Sequence, residues 1–278
     1  LPGPPPLVRR LDKTDVMQER ARAWMSWSSG KDSAMALEVA RSEGAVEVTA
    51  LLSTVNADAD RVAMHAVRRS LLEAQADRLG LRLVTVEIPS PCSNEAYEAR
   101  MTGAIAAARA DGVSHVIFGD LFLRDVRAYR EDRLKRQDIS PIFPLWARPT
   151  DVLAREMLAT GLKAVITCVD PTQLPGEFAG RAFDVRLLSE LPPGVDPCGE
   201  RGEFHTFVWD GPGFRSPIEI EVGQVVERDG FVFCDLTEPE QAIAPAACDD
   251  HRYRHAAGSS NLTASGIKDS AAAGVTTV

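Results

Sequence analysis

Residues 23–37 read Ala23-Trp24-Met25-Ser26-Trp27-Ser28-Ser29-Gly30-Lys31-Asp32-Ser33-Ala34-Met35-Ala36-Leu37, and this stretch decides the fold. Large apolar residues come first, as in a buried strand. Small polar residues follow, and then an Ala/Leu/Met-rich run with helical spacing. A strand, a tight turn and a helix make a ready anion site, because the turn's N–H groups and the positive end of the helix converge. Ser28, Ser29 and Ser33 add hydroxyls, Gly30 lets the backbone approach, and Lys31 adds positive charge. The G-x-x-x-x-G-K-[ST] phosphate loop is a different pattern and is absent. The same letters also suit a plain strand–helix turn capped by Ser28 or Ser29 that binds nothing.

Working outward, strand and helix alternate as far as residue 169. Strands are expected at Ala23–Trp27, Val46–Thr54, Leu81–Ile88, His115–Phe118 and Leu162–Val169. Helices are expected at Ser33–Ser42, Val62–Leu79, Glu95–Ala110, Arg124–Gln137 and Asp151–Ala159. Ile139–Leu145 holds two prolines, which puts it at a sheet edge or end. The strands are nearly continuous apolar runs, the pattern of a parallel sheet with helices on both faces. Ligands of such sheets bind off the carboxyl ends of the strands. Three polar clusters fall there: Ser28–Ser33, Thr54 to Asn56, and Gly119-Asp120. After Asp170-Pro171 the chain turns to short Pro/Gly-rich segments, a short helix near Phe183–Leu191, and two strands, Ile218–Val226 and Gly230–Leu236. The expected class is therefore α/β, with a smaller α+β C-terminal domain. The expected divisions are a flexible leader or upstream extension at 1–20, domains at 21–170 and 171–241, and a disordered tail at 242–278. In that tail Ser265-Gly266-Ile267-Lys268-Asp269-Ser270 echoes the first loop, but no strand precedes it. Asn261-Leu262-Thr263 has the form of a glycosylation sequon, which is idle in the cytosol.

The chain has 278 residues, 45% hydrophobic and 26% charged, as in an ordinary globular protein. Its net charge of −9 argues against an extended nucleic-acid surface, where a basic footprint is expected. Cys92, Cys168, Cys198, Cys234 and Cys248 are scattered, with no CxxC pair, so a zinc ribbon or redox pair is not expected. They read as reduced thiols, and no apolar run approaches a membrane span, so a cytoplasmic location is expected. A homodimer is compatible with such a chain.

A second dense run is Val195-Asp196-Pro197-Cys198-Gly199-Glu200-Arg201-Gly202-Glu203-Phe204-His205-Thr206-Phe207-Val208-Trp209. If its latter part is a strand, Phe204, Thr206 and Val208 face one side, with Glu200 and Glu203 on the loop entering it. Composition alone reads it equally well as a solvated loop before a hairpin. The first loop resembles the SGGxDS loop of the PP-loop ATP pyrophosphatases, with Ser29 in place of one glycine. Together with Gly119-Asp120, Arg127, Pro144-Leu145-Trp146 and Gly199-Glu200-Arg201-Gly202-Glu203-Phe204-His205-Thr206-Phe207, in that order, the chain resembles the diphthine–ammonia ligase family over roughly residues 22–217. It departs at Ser29, at His205 where the family's run ends Glu-Tyr-Glu-Thr, and at Asp120-Leu121-Phe122-Leu123-Arg124-Asp125. These departures suggest a bacterial subgroup.

The resemblance implies a HUP-type ATP-binding domain, followed by a substrate domain. It implies a ligase that uses ATP and Mg²⁺ to activate a carboxylate as an acyl-adenylate for ammonia or an amine. Ser28, Ser29, Gly30 and Ser33 would hold phosphates. Lys31 would offset charge on the leaving pyrophosphate, or be a solvated lysine. Asp32 would be a Mg²⁺ ligand, or a helix cap. Thr54 and Asn56 would touch adenosine, or be plain loop residues. Gly119 would permit close approach of ATP, and Arg127 would meet the α-phosphate or face solvent. Asp120 would serve Mg²⁺ or the substrate amine. Glu200 and Glu203 would hold or deprotonate the nitrogen nucleophile. His205 would titrate near neutral pH or pack through a hydrogen bond. Thr206 would join the substrate site, and His65 is structural. Rival readings are sulfur transfer to tRNA, ATP hydrolysis without an acceptor, and an adenine-nucleotide sensor of universal-stress type. The first lacks its cysteines and basic surface, and the last leaves residues 200–206 unexplained.

Overall fold

A computed structural model of the chain describes residues 20–62, 65–89 and 91–239. The expected leader (but for Arg20), the tail, its loop-like hexapeptide, the sequon and Cys248 lie outside these residues.

The first lobe runs β1 (Ala21–Ser26), α1 (Lys31–Glu43), β2 (Val46–Asn56), β3 (Arg61–Val62), α2 (Arg69–Leu79), β4 (Arg82–Ile88), α3 (Asn94–Ala110), β5 (Val113–Ile117), α4 (Arg124–Lys135) and β6 (Ser140–Ile142). Strands β4, β2, β1, β5 and β6 lie side by side and parallel, and the β3 hairpin adds antiparallel to the end of β2. The first strand is central because its side chains are buried on both faces. Ala23, Met25 and Trp27 point into the core shared with α1 and α2. Trp24 points oppositely, among Ile105 and Ala108 of α3 and Leu134 of α4. Gly44 and Gly80 end α1 and α2 in left-handed conformation, as glycine at a helix end permits. Proline-bearing β6 lies at the sheet edge.

Two expectations fail. The helix over Val62–Leu79 begins only at Arg69, because Val62 and Val67 are instead buried and bonded to each other through their backbones. Val62 N–H donates to Val67 O at 2.8 Å, and Ala66 adopts a positive φ of 53°. The strand at 162–169 is not part of the parallel sheet. After α5 (Thr150–Ala159) it forms β7 (Lys163–Val169), the hub of a separate antiparallel sheet. A buried central strand has the same apolar run in either kind of sheet, so its sequence does not say which it joins.

That second sheet is completed by β8 (Ala182–Phe183), β9 (Phe204–Asp210), β10 (Glu221–Arg228) and β11 (Phe231–Thr237), with α6 (Val185–Glu190) beside β8. The fold is thus α/β, with a smaller mixed C-terminal lobe. The two lobes share one core: Phe204, Phe207 and Val208 of β9 belong to the same cluster as Met25 and Leu37. Cys92, Cys168, Cys198 and Cys234 are free thiols. No helix among the described residues is long and apolar enough to cross a membrane.

Candidate functional site

The order of the parallel strands reverses between β1 and β5, and at such a switch point the loops leaving the two strands splay to open a crevice. The loop leaving β1 is Trp27 to Gly30. The segment leaving β5 carries Gly119. A Cβ on Gly119 would lie 2.8 Å from the carbonyl carbon of Asp32 and 2.9 Å from the nitrogen of Ser33. The bare Cα therefore lets the first turn of α1 pack on the end of β5, and that space is not left for ATP.

Ser29 sits at φ 67°, in the left-handed region where a non-glycine residue costs about 1–2 kcal/mol. Its hydroxyl donates to Ser28 O. Its carbonyl accepts Val208 N–H at 3.0 Å and Gln75 Nε2 at 3.0 Å. Ser28 Oγ lies 3.4 Å from Gly30 N and 3.3 Å from Ser33 Oγ, and Ser33 Oγ donates to Gly30 O at 2.8 Å. Ser28, Gly30 and Ser33 thus form one polar cluster at the start of α1, as the sequence leads one to expect. Gly30 is also hemmed in, since a Cβ there would stand 3.1 Å from His65 Cε1 and 3.2 Å from Thr206 O.

Lys31 takes neither of its expected places. It is neither solvated nor bonded to the Ser28–Ser33 hydroxyls, but buried. Its ammonium donates to Asp32 Oδ2 at 2.9 Å and to Cys198 O, and stands 5.2 Å from the Phe204 ring. Burial alone pulls its pKa down, but the neighbouring anionic groups, Asp32 foremost, outweigh this and raise it. Asp32 shifts upward as well, because its desolvation exceeds the relief from Lys31. Its Oδ1 is buried and has no hydrogen-bond partner among the described residues.

From the second lobe, Glu200 reaches the segment that follows β5, where its Oε1 accepts Leu121 N–H at 2.8 Å and Phe122 N–H at 3.3 Å. Burial, with Asp32 and Asp120 as like charges nearby, pushes it up to about 7. Glu203 faces elsewhere. It is buried, with one oxygen accepting Asp196 N–H and the other Arg201 N–H, each at 2.9 Å, so it braces its own loop. Asp196 also braces it, accepting Thr150 Oγ1 at 2.7 Å and Cys198 N–H at 2.8 Å. Thr206 is buried, and its hydroxyl accepts Lys31 N–H at 3.1 Å, so it caps α1 rather than facing a substrate. His205 lies against His65, with ring centroids 4.5 Å apart and ring planes tilted by 41°. Burial lowers both imidazoles, His65 to about 4 and His205 well below its ordinary value, so His205 does not titrate near neutrality.

The remaining expected residues are placed less centrally. Asn56 shapes the turn into β3, accepting Asp58 N–H and Ala59 N–H at 3.0 Å each, and Thr54 lies beside Val86 of β4. Asp120 is ion-paired with Arg130 at 2.9 Å. Arg127 lies 4.7 Å from the Phe143 ring and 4.6 Å from the Trp146 ring, and pairs with Glu131 at 2.7 Å. Among the described residues no three His, Cys, Asp or Glu side chains are grouped to hold a metal. A Mg²⁺ carried in on phosphate oxygens needs only one or two carboxylates, and the unpartnered Asp32 Oδ1 fits that need. Sequence reading missed Gln75. Its signal is a polar residue in the apolar stripe Leu71, Leu72, Ala76, Leu79 of α2.

Comparison with known proteins agrees with this two-lobed arrangement. The family model described as diphthamide synthase N-terminal domain matches residues 21–137, and the diphthamide synthase C-terminal domain model matches 149–237. Among curated proteins, the chain is similar to the diphthine–ammonia ligase of Rattus norvegicus, 32% identical over 111 residues, which is 38% of this chain and 42% of that protein. The diphthine–ammonia ligase of Homo sapiens is 33% identical over the same length and shares. That of Danio rerio is 34% identical over 131 residues, 45% of this chain and 50% of that protein. The matched region spans half or less of these relatives' length.

Proposed function

Since the chain belongs to the diphthamide synthase family, with both of its domains matched, we propose that it is an ATP-dependent ligase. It would join ammonia or an amine to a carboxylate and release AMP and pyrophosphate. The relatives' name specifies diphthine and ammonia; for this chain we propose the reaction class, with a carboxylate acceptor that can be carried on a protein. The observation that carries the proposal is Glu200, from the second lobe, accepting Leu121 N–H and Phe122 N–H in the segment that leaves β5 at the switch point, where Gly119 packs on the backbone of Asp32 and Ser33. A nucleotide held by one lobe would face an acid–base group offered by the other. Four free thiols fit a reducing cytoplasm.

In this reading Ser28 and Ser33 turn their hydroxyls, and Gly30 its N–H, to the phosphates at the positive end of α1. Asp32 would hold Mg²⁺ through Oδ1, and the ion would neutralise charge on the phosphate oxygens. The acceptor carboxylate attacks the α-phosphorus, the bond to the bridging oxygen breaks, and pyrophosphate leaves. Ammonia then attacks the acyl carbon and AMP leaves with the bonding pair. Glu200 is suited to take a proton from ammonium or the attacking amine, because a group near pH 7 is both available and able to accept. Its Oε1 is held by two backbone amides, which leaves Oε2 for that proton. Lys31, Glu203 and Thr206 support the site from beneath.

One feature favours a second reading, a nucleotide sensor without turnover: the only lysine of the loop turns its charge away from the phosphates. Incubation with α-labelled ATP, Mg²⁺ and ammonium, with and without cell extract, separates the two. Labelled AMP formed in step with pyrophosphate is expected. ADP as sole product sinks the ligase, and binding without turnover under every condition favours the sensor.

A further inference from the structure

Gln75, on α2, is fully buried and uses all of its amide group. Its Oε1 accepts Trp27 Nε1–H at 2.8 Å, which fixes the rotamer and which end is oxygen. Its Nε2 donates to Ser29 O at 3.0 Å and to Val208 O at 2.6 Å. One side chain thereby joins the end of β1, the phosphate-facing loop and strand β9 of the second lobe. Val208 N–H adds a second donor to the same Ser29 carbonyl, at 3.0 Å.

The consequence follows from peptide geometry. In a planar trans peptide, C=O and the next N–H point in opposite directions. With Ser29 C=O drawn toward Gln75 and β9, Gly30 N–H must point the other way. It does, toward Ser28 Oγ at 3.4 Å, within the hydroxyl cluster where an anion would sit. That bond is long, so little is lost when the N–H is passed to a stronger acceptor. Rotation of this peptide about Ser29 ψ and Gly30 φ would carry the donor out of the cluster, and the two bonds to the Ser29 carbonyl oppose it.

We infer that Gln75 is a positioning residue for polyphosphate binding: it sets the direction of the Gly30 N–H through the Ser29 carbonyl and ties that direction to strand β9. The inference rests on the ligase reading for its ligand, an ATP-type polyphosphate. It differs from a general core role in a checkable way. A folded chain lacking the pin should bind ATP poorly, while a chain with the pin restored should bind it again.

The experiment titrates the purified full chain with Mg-ATP by calorimetry, at a temperature where circular dichroism shows each protein folded. Gln75→Leu removes the side-chain half of the pin, leaving only Val208 N–H on the Ser29 carbonyl, and at least a tenfold loss of affinity is expected. Gln75→Glu provides a pH-controlled version. Ionised, its carboxylate opposes the Ser29 and Val208 carbonyl oxygens; protonated, it donates to one of them. Affinity should be weak at pH 8 and recover several-fold at pH 6, relative to the original chain at each pH. Trp27→Phe, a milder change, frees the amide to rotate and should weaken binding a few-fold, which keeps the test available if the other variants fail to fold. If the original chain binds no ATP, the ligase reading falls and this inference with it. If it binds and the folded variants bind equally well at both pH values, the inference alone is overturned.

Discussion

The hydroxyl of Thr206 accepts the backbone N–H of Lys31 at 3.1 Å, so the first turn of α1 is capped by a residue 175 positions further along the chain. The local cap position is Gly30, which has no side chain to serve, and a helix start leaves several N–H groups without intrahelical partners. The second lobe thus completes the helix whose positive end faces the proposed phosphates.

Removing that cap should destabilise the whole protein. Thr206→Val keeps the shape but leaves Lys31 N–H buried without an acceptor, which costs about 1–3 kcal/mol. Thr206→Ser should restore most of the loss. Urea denaturation measures this, and a Val variant within about 0.5 kcal/mol of the original would refute the cap.

Lys31 should behave as a residue of stability first. Lys31→Met leaves Asp32 and the Cys198 carbonyl without their ammonium, and breaking a buried pair on one side costs about 3–5 kcal/mol. Because the ammonium faces the second lobe, the folded variant should lose ATP affinity by much less than the tenfold expected for Gln75→Leu. Denaturation midpoints and calorimetric titration together decide it; an unchanged midpoint with abolished binding would return Lys31 to the phosphates.

An ion-pair cluster ties the β3 hairpin to the second lobe and should show in acid. Asp235 of β11 accepts Arg61 Nη1 at 2.8 Å and Arg68 Nη2 at 2.6 Å. Burial would raise its pKa, but the two guanidinium groups prevail and hold it down at about 2. A depressed carboxylate contributes stability above its unfolded pKa near 4 and loses it as pH falls toward 2. The cluster is partly exposed, so about 1 kcal/mol is expected after screening, and less in high salt. Asp235→Asn should erase this part of the acid dependence, read as the difference in urea midpoints between pH 5 and pH 3. A variant as acid-sensitive as the original would rule the cluster out.

The parallel sheet and its loop were legible because continuous apolar strands and helical spacing are properties of neighbouring residues. The Ser28–Ser33 cluster was found at the sheet position such a pattern implies. Ser29, the one mismatch to a glycine-rich loop, takes the left-handed conformation that glycine would supply. What sequence could not show were partners made by folding: Thr206 on Lys31, Glu200 on Leu121 and Phe122, and Gln75 on Ser29. Lys31 illustrates the reason. A lysine after a glycine in an anion-binding turn reads as a phosphate ligand or a surface residue. Only the placement of the Cys198 carbonyl, on the loop before β9, and of the Phe204 ring, at the start of β9, turns it inward. Strand β7 joins the antiparallel sheet and not the parallel one for the same reason, since its partners are chosen by topology.

Glu200 should govern both a stability slope and a rate. Its folded pKa, raised by burial and by Asp32 to about 7, exceeds the unfolded value near 4.3. Between these values the folded state holds more protons, so this group's contribution falls as pH rises from about 4 through 7. Glu200→Gln keeps an oxygen for the Leu121 and Phe122 amides but carries no charge. Relative to the original, it should gain stability with rising pH across that window, by about 1–3 kcal/mol at pH 8. The same variant should lose turnover by about 10²–10⁴-fold while ATP affinity is retained, as expected for a general base. In the original chain the rate should climb through an apparent pKa near 7, and that limb should vanish in Glu200→Gln. Denaturation at pH 5 and pH 8, beside a pH–rate profile, checks both. A variant that keeps full turnover and the same limb would leave Glu200 as a brace for the Leu121–Phe122 segment alone.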